Sequence, residues 1–469
     1  MKIAFFTDSF REDLGGLTRA VIALHDRLTR AGHQVRVFTL PQTGGPIHPG
    51  DVGFVRAIPL RGVPGLPPDS HLAWDYWQVR RDLAAWRPHI VHLHTMLPVG
   101  WLGLLAARSL GIPAVATYHA NVRAVGAVLA PAPGSGAGGP ALTGGGRGAA
   151  ATVARGQAGG WSAAAVAGRA VAAAARQALA GAAGRAAGSL VPAFYNRCEA
   201  VIAPSRFAAA ELRQMGVRRP IAVISNGVDL DRFAPAAEAQ EDRGAGVTVL
   251  FVGRLSPEKG VDWLARTLQM VLAAEPTLRA RVVGDGPLAP ALRQALAPWL
   301  AGGRVALRGH VPWERMPAEY AAGDIFLFPS PSETQGLAVL EAMSAGLPVV
   351  AVRAGALPEL VRDGESGITA PPGDVEALAR GVLRLARDPG LRRRLGEGAR
   401  AVAAEHGASQ ALAEVLALYA RVTASGAGGR TPGADRRAAD AGHAAPGAGQ
   451  RERGSHTTEP EGVEPRAAG

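Results

Sequence analysis

Two basic side chains in the second half of the chain have a type and spacing that suit phosphate chemistry. Arg254 and Lys259 lie five residues apart in FVGRLSPEKG (251–260), on a loop between a strand-like apolar run and a helix. Two fixed cations beside a helix N-terminus favour a diphosphate ligand. Only Lys2 and Lys259 are lysines among 50 basic residues, so a compact ammonium at 259 indicates a specific need. The alternative is an ordinary exposed loop lysine.

Two carboxylates follow in the segment PSPSETQGLAVLEAMSAGLPVV (329–350). Glu333 precedes a predicted helix and Glu341 lies in its second turn, so both are expected to project into one cleft. One could face a substrate hydroxyl and the other a ribose diol, while the amides near Gly336 and Leu337 face phosphate. The alternative is a capping residue and a surface glutamate.

Glycine-rich turns mark the ends of two predicted strands. Gly15 and Gly16 lie between the first strand and a helix, where bare backbone amides bind phosphate. Gly284 begins GDGPL (284–288) at a similar turn, in which Asp285 could serve as a cap. Most strand-to-helix turns contain glycine, so neither segment alone identifies a ligand site.

Three histidines end neighbouring predicted strands. His92 and His94 close the run 89–94, and His119 follows the run 113–118. The carboxyl ends of strands are where open α/β sheets place ligands. A metal site from these three residues is conceivable, but no carboxylate is spaced to complete it, so no metal is predicted.

The elements that must position these side chains alternate between strand and helix. This alternation predicts an α/β protein with two doubly wound parallel sheets facing a cleft. Residues 124–190 interrupt the pattern with an Ala/Gly-rich insert, 161–190 of which could be helical. The predicted strands are 2–7, 34–40, 53–58, 89–94, 113–118, 200–204, 221–225, 247–253, 279–284, 304–309, 324–329 and 348–352, and the clearest helices are 17–31, 72–86, 98–110, 374–387, 390–404 and about 408–422.

The pattern also predicts where the domains begin and end. We expect a first domain at 1–233, a linker at 234–246 and a second domain at 247–405. A helix at 406–424 is then followed by a Gly/Ala/Pro-rich tail at 425–469, which is expected to be disordered.

Composition limits the class of protein and its partners. The 469 residues include one cysteine, Cys198, which excludes a disulfide framework and a cysteine-based zinc site. No signal peptide or membrane-spanning run is found, so a cytoplasmic location is predicted. Residues 1–200 contain 19 basic and 9 acidic residues, whereas 201–424 contain 25 and 24. The basic first half favours an anionic partner such as a membrane surface or a nucleic acid, unless the arginines are simply solvated.

Taken together, the segments resemble the family 4 glycosyltransferases over about 1–120 and 194–422. The resemblance implies the GT-B fold, with a nucleotide-sugar donor between two Rossmann-like domains and a last helix that crosses back to the first. It also implies retention of anomeric configuration without an essential metal or other cofactor. The matching segments are FFTDSF and GGLTR within 5–19, TYH (117–119), YNRCEAVIAPS (195–205), ISNGVDLDRF (224–233), FVGRLSPEKG, VVGDGPL, GHVPWERMPAEYAAGDIFLFPS (309–330) and SETQGLAVLEAM (332–343).

The resemblance also implies roles for individual residues. Glu333 and Glu341 correspond to the E-x7-E motif, the first glutamate contacting the donor sugar and the second holding the ribose. Arg254 and Lys259 correspond to the diphosphate clamp. Three further positions match the family: Gly16 as the phosphate-facing glycine, Val311 as a backbone contact to the base and His119 as the histidine near the reacting carbon.

The SETQG form and the FTDSF opening most resemble enzymes that glucosylate diacylglycerol from UDP-glucose. Lipid mannosyltransferases that use GDP-mannose are close relatives, so a lipid or glycan acceptor is implied. After TYH this chain continues with ANVRAVGAV, which differs from the aromatic, polar loop of that branch. A nucleotide-sugar epimerase, a phosphorylase and a nucleic-acid-binding protein are alternatives, but the glutamate pair, the lysine motif and the lack of a nucleic-acid module argue against them.

Overall fold

A computed structural model describes residues 1–11, 15–41, 47–59, 71–119, 190–234 and 246–427. Nearly all of the predicted insert 124–190, linker 234–246 and tail 425–469 lies outside these described residues. Residues Met1–Gly426 form one compact unit that contains two parallel sheets. Among the helices of the described residues, none combines the length and the apolarity needed to span a bilayer.

The first half of the chain folds around a parallel sheet. The strands in chain order are β1 Lys2–Phe6, β2 Gln34–Thr39, β3 Asp51–Phe54, β4 Ala57–Pro59, β5 His71–Ala73, β6 Ile90–Leu93, β7 Ala114–Thr117, β8 Ala200–Ala203 and β9 Ile221–Val223. Seven of them pair in the order β3-β2-β1-β6-β7-β8-β9. Strands β6, β7 and β8 are buried along their whole length, which explains their continuous apolar sequences.

The second half repeats the same architecture with six strands. These are β10 Thr248–Val252, β11 Arg279–Val283, β12 Val305–Gly309, β13 Ile325–Phe328, β14 Val349–Val352 and β15 Gly367–Ala370. Their order is β12-β11-β10-β13-β14-β15, and every pairing is parallel. In both sheets the order reverses beside the first strand, next to β1 and next to β10. Ligands bind open α/β sheets at such switch points.

Helices cover the sheets and connect successive strands. The helix Val375–Arg387 shows how sequence dictates them, because Val375, Leu378, Val382 and Leu385 recur on one buried face. The Asp374 side chain caps it by accepting a hydrogen bond from the Ala377 amide at 2.8 Å. The other helices are Gly15–Arg30, Tyr76–Trp86, Pro98–Leu110, 190–195, Arg206–Gln214, Leu230–Phe233, Val261–Ala274, Ala289–Ala295, Ala297–Ala301, Met316–Ala321, Leu337–Ser344, Leu357–Leu360, Pro389–Ala404 and Ala408–Ala427.

The last helix, Ala408–Ala427, packs on the first sheet although it follows the second. Its residues Val415, Leu418 and Tyr419 are buried in the same cluster as Ile3 and Phe5 of β1. A backbone pairing between Val228 and Gly407 fixes the point at which the chain returns. The predicted crossover helix and the two doubly wound sheets are therefore confirmed.

The stretch between β2 and β6 differs from the prediction. The single strand expected at 53–58 is two strands, β3 and β4, and the helix expected from 72 begins at Tyr76. The Asp75 side chain caps that helix through the Gln78 amide at 2.9 Å, and residues His71–Ala73 pair instead with β4. Strand β15 was not predicted at all, because its short sequence GITA carries little apolar signal.

Candidate active site

Lys259 and Glu333 meet at the switch point of the second sheet. The Lys259 ammonium lies 2.5 Å from Glu333 Oε1, and the Ser330 hydroxyl donates to the same oxygen at 2.8 Å. The exposed fractions of the two charged side chains are 27% and 11%. The pair is thus half-buried, and the ammonium keeps a solvent-facing side on which a second anion could bind.

Gly260 makes this approach possible. It has φ +67°, and a Cβ at this position would lie 2.2 Å from the Pro329 carbonyl oxygen. Because Gly260 has no side chain, the short 3-10 turn Pro257–Lys259 packs directly on the segment that carries Glu333. The Ser332 hydroxyl donates to the Glu258 carbonyl at 3.0 Å and joins the same two segments.

Glu341 occupies a more apolar environment than Glu333. It is 7% exposed, and the Tyr320 hydroxyl donates to its Oε2 at 2.5 Å. Burial raises the pKa of Glu341 to about 7, although the Tyr320 hydrogen bond and the charges of Arg19 and Arg232 act in the opposite direction. A carboxylate that is buried at an energetic cost and lines a cavity is typical of a ligand-binding group.

The remaining predicted residues of the second half lie on neighbouring loops. Arg254 is exposed directly after Gly253, and the Leu255 amide bonds the Asp285 carbonyl at 2.9 Å. Gly284, with φ +129°, touches Gly253 so closely that a Cβ would lie 1.9 Å from its carbonyl oxygen. The loops after β10 and β11 are therefore held together at the carboxyl edge of the sheet.

Three further predicted positions flank this edge. Val311 is buried just beyond β12. Gly336, with φ +95°, caps the helix whose first residue is Leu337. The Val339 and Leu340 amides already donate to the Gly336 carbonyl at 3.0 and 3.1 Å, so the amides of Leu337 and Ala338 are the ones that could face an anion.

On the first sheet, Gly15 and Gly16 are exposed at the start of the helix that follows β1. Asp8 lies just before this turn, and Thr95 donates to its carboxylate. Burial raises the pKa of Asp8 to about 6, while the Thr95 bond opposes the increase.

His119 lies at the boundary between the two lobes, which are the parts of the chain built on the first and on the second sheet. The Thr334 hydroxyl donates to the His119 carbonyl at 3.1 Å, so the histidine is next to the segment that carries Glu333. His94 Nδ1 lies 3.2 Å from His119 Nε2. Burial lowers the pKa of His119 to about 4, which keeps its imidazole neutral near pH 7.

His92 forms a hydrogen bond with the crossover helix, Ala408–Ala427. Its Nδ1 lies 2.6 Å from the Tyr419 hydroxyl and its Nε2 lies 2.7 Å from Thr117 Oγ1. Burial lowers the pKa of His92 to about 3. Since both ring nitrogens are occupied by hydrogen bonds, the metal site conceived from His92, His94 and His119 is not assembled here.

The lobes contact each other directly beside these residues. Gln335 Oε1 accepts from Asn226 Nδ2 at 2.6 Å, and Gln335 Nε2 donates to Ser225 at 2.6 Å. The Ser205 hydroxyl donates to the Thr334 carbonyl at 2.6 Å. The SETQG segment is therefore the contact between lobes as well as the carrier of Glu333.

A cavity of about 660 Å³ opens between the lobes, the crossover helix and the connecting segment around Asn226–Phe233. Of the predicted residues, Glu341 and Leu337 line it, whereas Arg254, Lys259 and Glu333 do not. The geometry thus brings Lys259 together with Glu333 and places Glu341 in the lining of this cavity, which is called the chamber below.

Sequence reasoning missed three residues of this chamber. The Trp313 ring has the Arg19 guanidinium 5.1 Å and the Arg232 guanidinium 4.9 Å from its centroid. Trp313 belongs to the run 309–330, and Arg19 ends the segment GGLTR. Their positions within segments that match the family are the sequence signal that could have identified them as site residues.

A second missed group is the cluster His25, Asp26 and His48. Its three ligand-type atoms lie within 4.8 Å of one another. Asp26 and His48 also line the 660 Å³ cavity. His48 is 22 residues from Asp26 and one more from His25, which gives no recognisable spacing, so only the tertiary structure reveals this cluster.

Comparisons with known proteins agree with the resemblance. Residues 14–232 match the family model described as Glycosyltransferase Family 4, and residues 246–388 match the model described as Glycosyl transferases group 1. A GDP-mannose-dependent alpha-mannosyltransferase of Mycolicibacterium smegmatis is 30% identical over 412 residues, which cover 85% of this chain and 92% of the relative.

Two further similarities are narrower in what they show. A D-inositol 3-phosphate glycosyltransferase of Streptomyces bingchenggensis is 36% identical over 215 residues, so the match spans 43% of this chain and 47% of that relative's length. Sucrose-phosphate synthase from Thermosynechococcus elongatus has a TM-score of 0.66 at 22% identity and covers 91% of this chain, which supports a common fold. Family models match both halves of the chain, and one relative matches it over most of its length. The chain is therefore a glycosyltransferase of family 4, and it has the GT-B fold.

Proposed function

We propose that this enzyme transfers a hexose from a nucleotide-sugar donor to a hydroxyl of a lipid or glycan acceptor. The observation that carries the proposal is the Lys259–Glu333 pair at the switch point of the second sheet, with Glu341 in the adjoining cavity. An ammonium beside a carboxylate offers one group for the departing phosphate and one for the sugar hydroxyls.

In this proposal the diphosphate lies against Lys259 and Arg254, near Gly16, Gly284 and the first amides of the helix that begins at Leu337. Negative charge develops on the leaving phosphate as the glycosidic bond breaks, so these groups stabilise the transition state more than the ground state. The acceptor hydroxyl attacks from the face that the diphosphate leaves, and its proton passes to the donor phosphate. Glu333 then orients the sugar.

The nucleoside is assigned to the chamber that contains Glu341. Its carboxylate would accept hydrogen bonds from the ribose diol, and the base would lie near the backbone of Val311. His119, neutral because burial lowers its pKa to about 4, would face the reacting sugar as a hydrogen-bonding group. No step in this scheme calls for a metal or an organic cofactor.

GDP-mannose is the donor we favour, because the relative with 92% of its length aligned is named for that donor. UDP-glucose is the second candidate, and the SETQG form of residues 332–336 supports it. The two donors differ in base and in sugar, so direct comparison separates them.

The experiment that tests the proposal measures nucleoside diphosphate release with GDP-mannose, UDP-glucose or UDP-galactose and with diacylglycerol vesicles. Lys259→Ala is expected to lower the turnover number by about 100-fold or more while weakening donor binding much less. Lys259→Arg serves as the matched control that keeps the charge, and it should retain part of the activity. An unchanged turnover number in Lys259→Ala would refute the assigned role.

A bilayer surface is the partner we propose for the first lobe. Ile58 and Leu72 face each other across the β4-β5 pair and are 53% and 42% exposed. Trp74 and Trp77, in the adjoining turn and helix, are 54% and 72% exposed. Exposed tryptophans of this kind suit the interface between lipid headgroups and acyl chains.

Two exposed arginines lie in the same part of the chain, although each is also within 4 Å of an aspartate, Asp75 or Asp82. Arg56 and Arg81 have side-chain exposures of 66% and 73%. Anionic lipid attracts such arginines, in keeping with the excess of basic residues in the first half of the chain. The expected location is therefore the cytoplasm, with the enzyme peripheral at the membrane, and nucleic acid is not an expected partner.

Sedimentation with vesicles of phosphatidylglycerol and phosphatidylcholine measures this contact. Binding should decrease with added salt, and Trp77→Ser should reduce it. Met270→Ser is the matched control, because Met270 is a 39% exposed side chain of the other lobe. Equal loss of binding in both variants, or tight binding to neutral vesicles, would contradict the proposed surface.

A further inference from the structure

The cluster of His25, Asp26 and His48 contains none of the residues used in the proposed transfer, although Asp26 and His48 line the same cavity as Glu341. His25 and Asp26 belong to the helix Gly15–Arg30, and His48 lies on the segment before β3. His25 Nδ1 and His48 Nε2 are each 2.8 Å from the same atom, Asp26 Oδ1. Two imidazoles and a carboxylate that converge on one point form a donor set for a borderline divalent cation.

The surrounding structure holds the two rings in place. The Phe10 ring forms T-shaped contacts with both imidazoles, with centroid distances of 5.2 and 5.3 Å, and the His48 amide donates to the Phe10 carbonyl at 3.0 Å. Gly50 lies so close that a Cβ there would be 3.0 Å from His25 Nε2. Pre-positioned ligands lose little freedom on binding, which favours metal affinity.

The charge of the cluster also suits a cation. Asp26 brings a carboxylate oxygen to the point where the two imidazoles meet. His25 is only 4% exposed, whereas the Asp26 side chain is 31% exposed. The cluster is thus closed on its protein side and open on one other side, where Asp26 and His48 line the 660 Å³ cavity.

We propose that His25 Nδ1, Asp26 Oδ1 and His48 Nε2 bind one divalent cation of the Zn²⁺ class, with a remaining coordination position open to the cavity. Zinc bonds to nitrogen and oxygen are about 2.0–2.2 Å long, so the atoms need to separate by less than about 1 Å. On binding, each imidazole presents a lone pair at the atom that now faces Asp26, and its proton moves to the other ring nitrogen.

The open position is expected to take an anionic oxygen ligand. Arg27 and Arg30 also line the cavity, and a bound cation would add to their positive charge. Arg27 also donates to the carbonyls of Asn226 and Gly227 at 2.8 and 3.0 Å, so the helix that carries the cluster is anchored to the segment between the lobes. The ion would therefore bind an anion in the cavity that Glu341 also lines, without taking part in the transfer step.

The test uses the untagged full chain after removal of metal with a chelator. We expect one equivalent of Zn²⁺ to bind, and Co²⁺ to give the visible absorption of a low-coordinate nitrogen and oxygen site. His48→Gln and Asp26→Asn should each weaken Zn²⁺ binding by more than about 10-fold. They should also abolish the Zn²⁺-dependent rise in Tm.

His33→Gln is the matched control, because His33 lies 3.0 Å from the chain's terminal amine and this pair of nitrogens could also attract a metal ion. This variant should bind Zn²⁺ as the unmodified chain does. Inorganic phosphate should shift the Co²⁺ spectrum if the open position is accessible. Equal Zn²⁺ affinity in the unmodified chain and in both cluster variants, folded by circular dichroism, would overturn the proposal, and an unchanged Co²⁺ spectrum would overturn its open position.

Discussion

Glu341→Gln tests whether a binding carboxylate is kept at the expense of stability. Burial gives Glu341 a pKa of about 7 in the folded chain, against an ordinary value of 4.5. As pH rises, the Glu341 carboxyl therefore ionises in the unfolded chain before it ionises in the folded chain. The folded state loses stability between these two pKa values. The difference corresponds to about 3 kcal/mol, all of which is lost above the folded pKa.

The glutamine variant has no charge to bury, so this loss should disappear. Its side-chain oxygen can still accept the Tyr320 hydrogen bond, which keeps the local packing. The quantity to compare is the free energy of unfolding of Glu341→Gln minus that of the unmodified enzyme. We expect this difference to increase by about 2 kcal/mol from pH 5 to pH 8. This comparison across pH removes any constant cost of the new amide group.

Urea unfolding without donor, followed at both pH values, measures this effect. Glu397→Gln is the matched control, since Glu397 is an exposed glutamate of the same lobe and its replacement should change stability by less than about 0.5 kcal/mol. Donor affinity should fall in Glu341→Gln because the neutral amide is a weaker acceptor for the ribose diol. If Glu341→Gln alters stability by the same amount at both pH values, the reasoning about the buried carboxylate is wrong.

Two further changes test how the site is supported. Gly284→Ala should destabilise the chain by at least about 2 kcal/mol and weaken donor binding, because its Cβ would collide with the Gly253 carbonyl. Gly303→Ala, at φ +68° with open space around it, measures the backbone cost alone in the same urea assay. Tyr419→Phe should lower the free energy of unfolding by about 1–3 kcal/mol, because it leaves buried His92 Nδ1 unpaired. An unchanged midpoint in Tyr419→Phe would contradict the role of this bond in docking the crossover helix.

The local order of elements follows from the sequence because each depends on neighbouring residues. Apolar runs such as VTVLFVG predict buried strands of a parallel sheet, and the helix Val375–Arg387 follows from its apolar period and its Asp374 cap. The family motifs add the placement of Arg254 and Lys259 after β10. Where local signals are weak, as at His71–Ala73 and Gly367–Ala370, prediction failed, because those strands are stabilised by pairing with the preceding strand rather than by their own short sequences.

The contacts of the candidate site depend on the tertiary structure. Lys259 and Glu333 are 74 residues apart, and they meet because β10 and β13 are neighbours in the sheet and Gly260 permits a close approach. The high pKa of Glu341 results from burial beside Tyr320, which no motif specifies. The convergence of His25, Asp26 and His48 likewise requires the segment before β3 to fold against the first helix. Sequence thus determines which residue types follow each strand, whereas the fold decides which of them share a solvent-poor space and so acquire their chemistry.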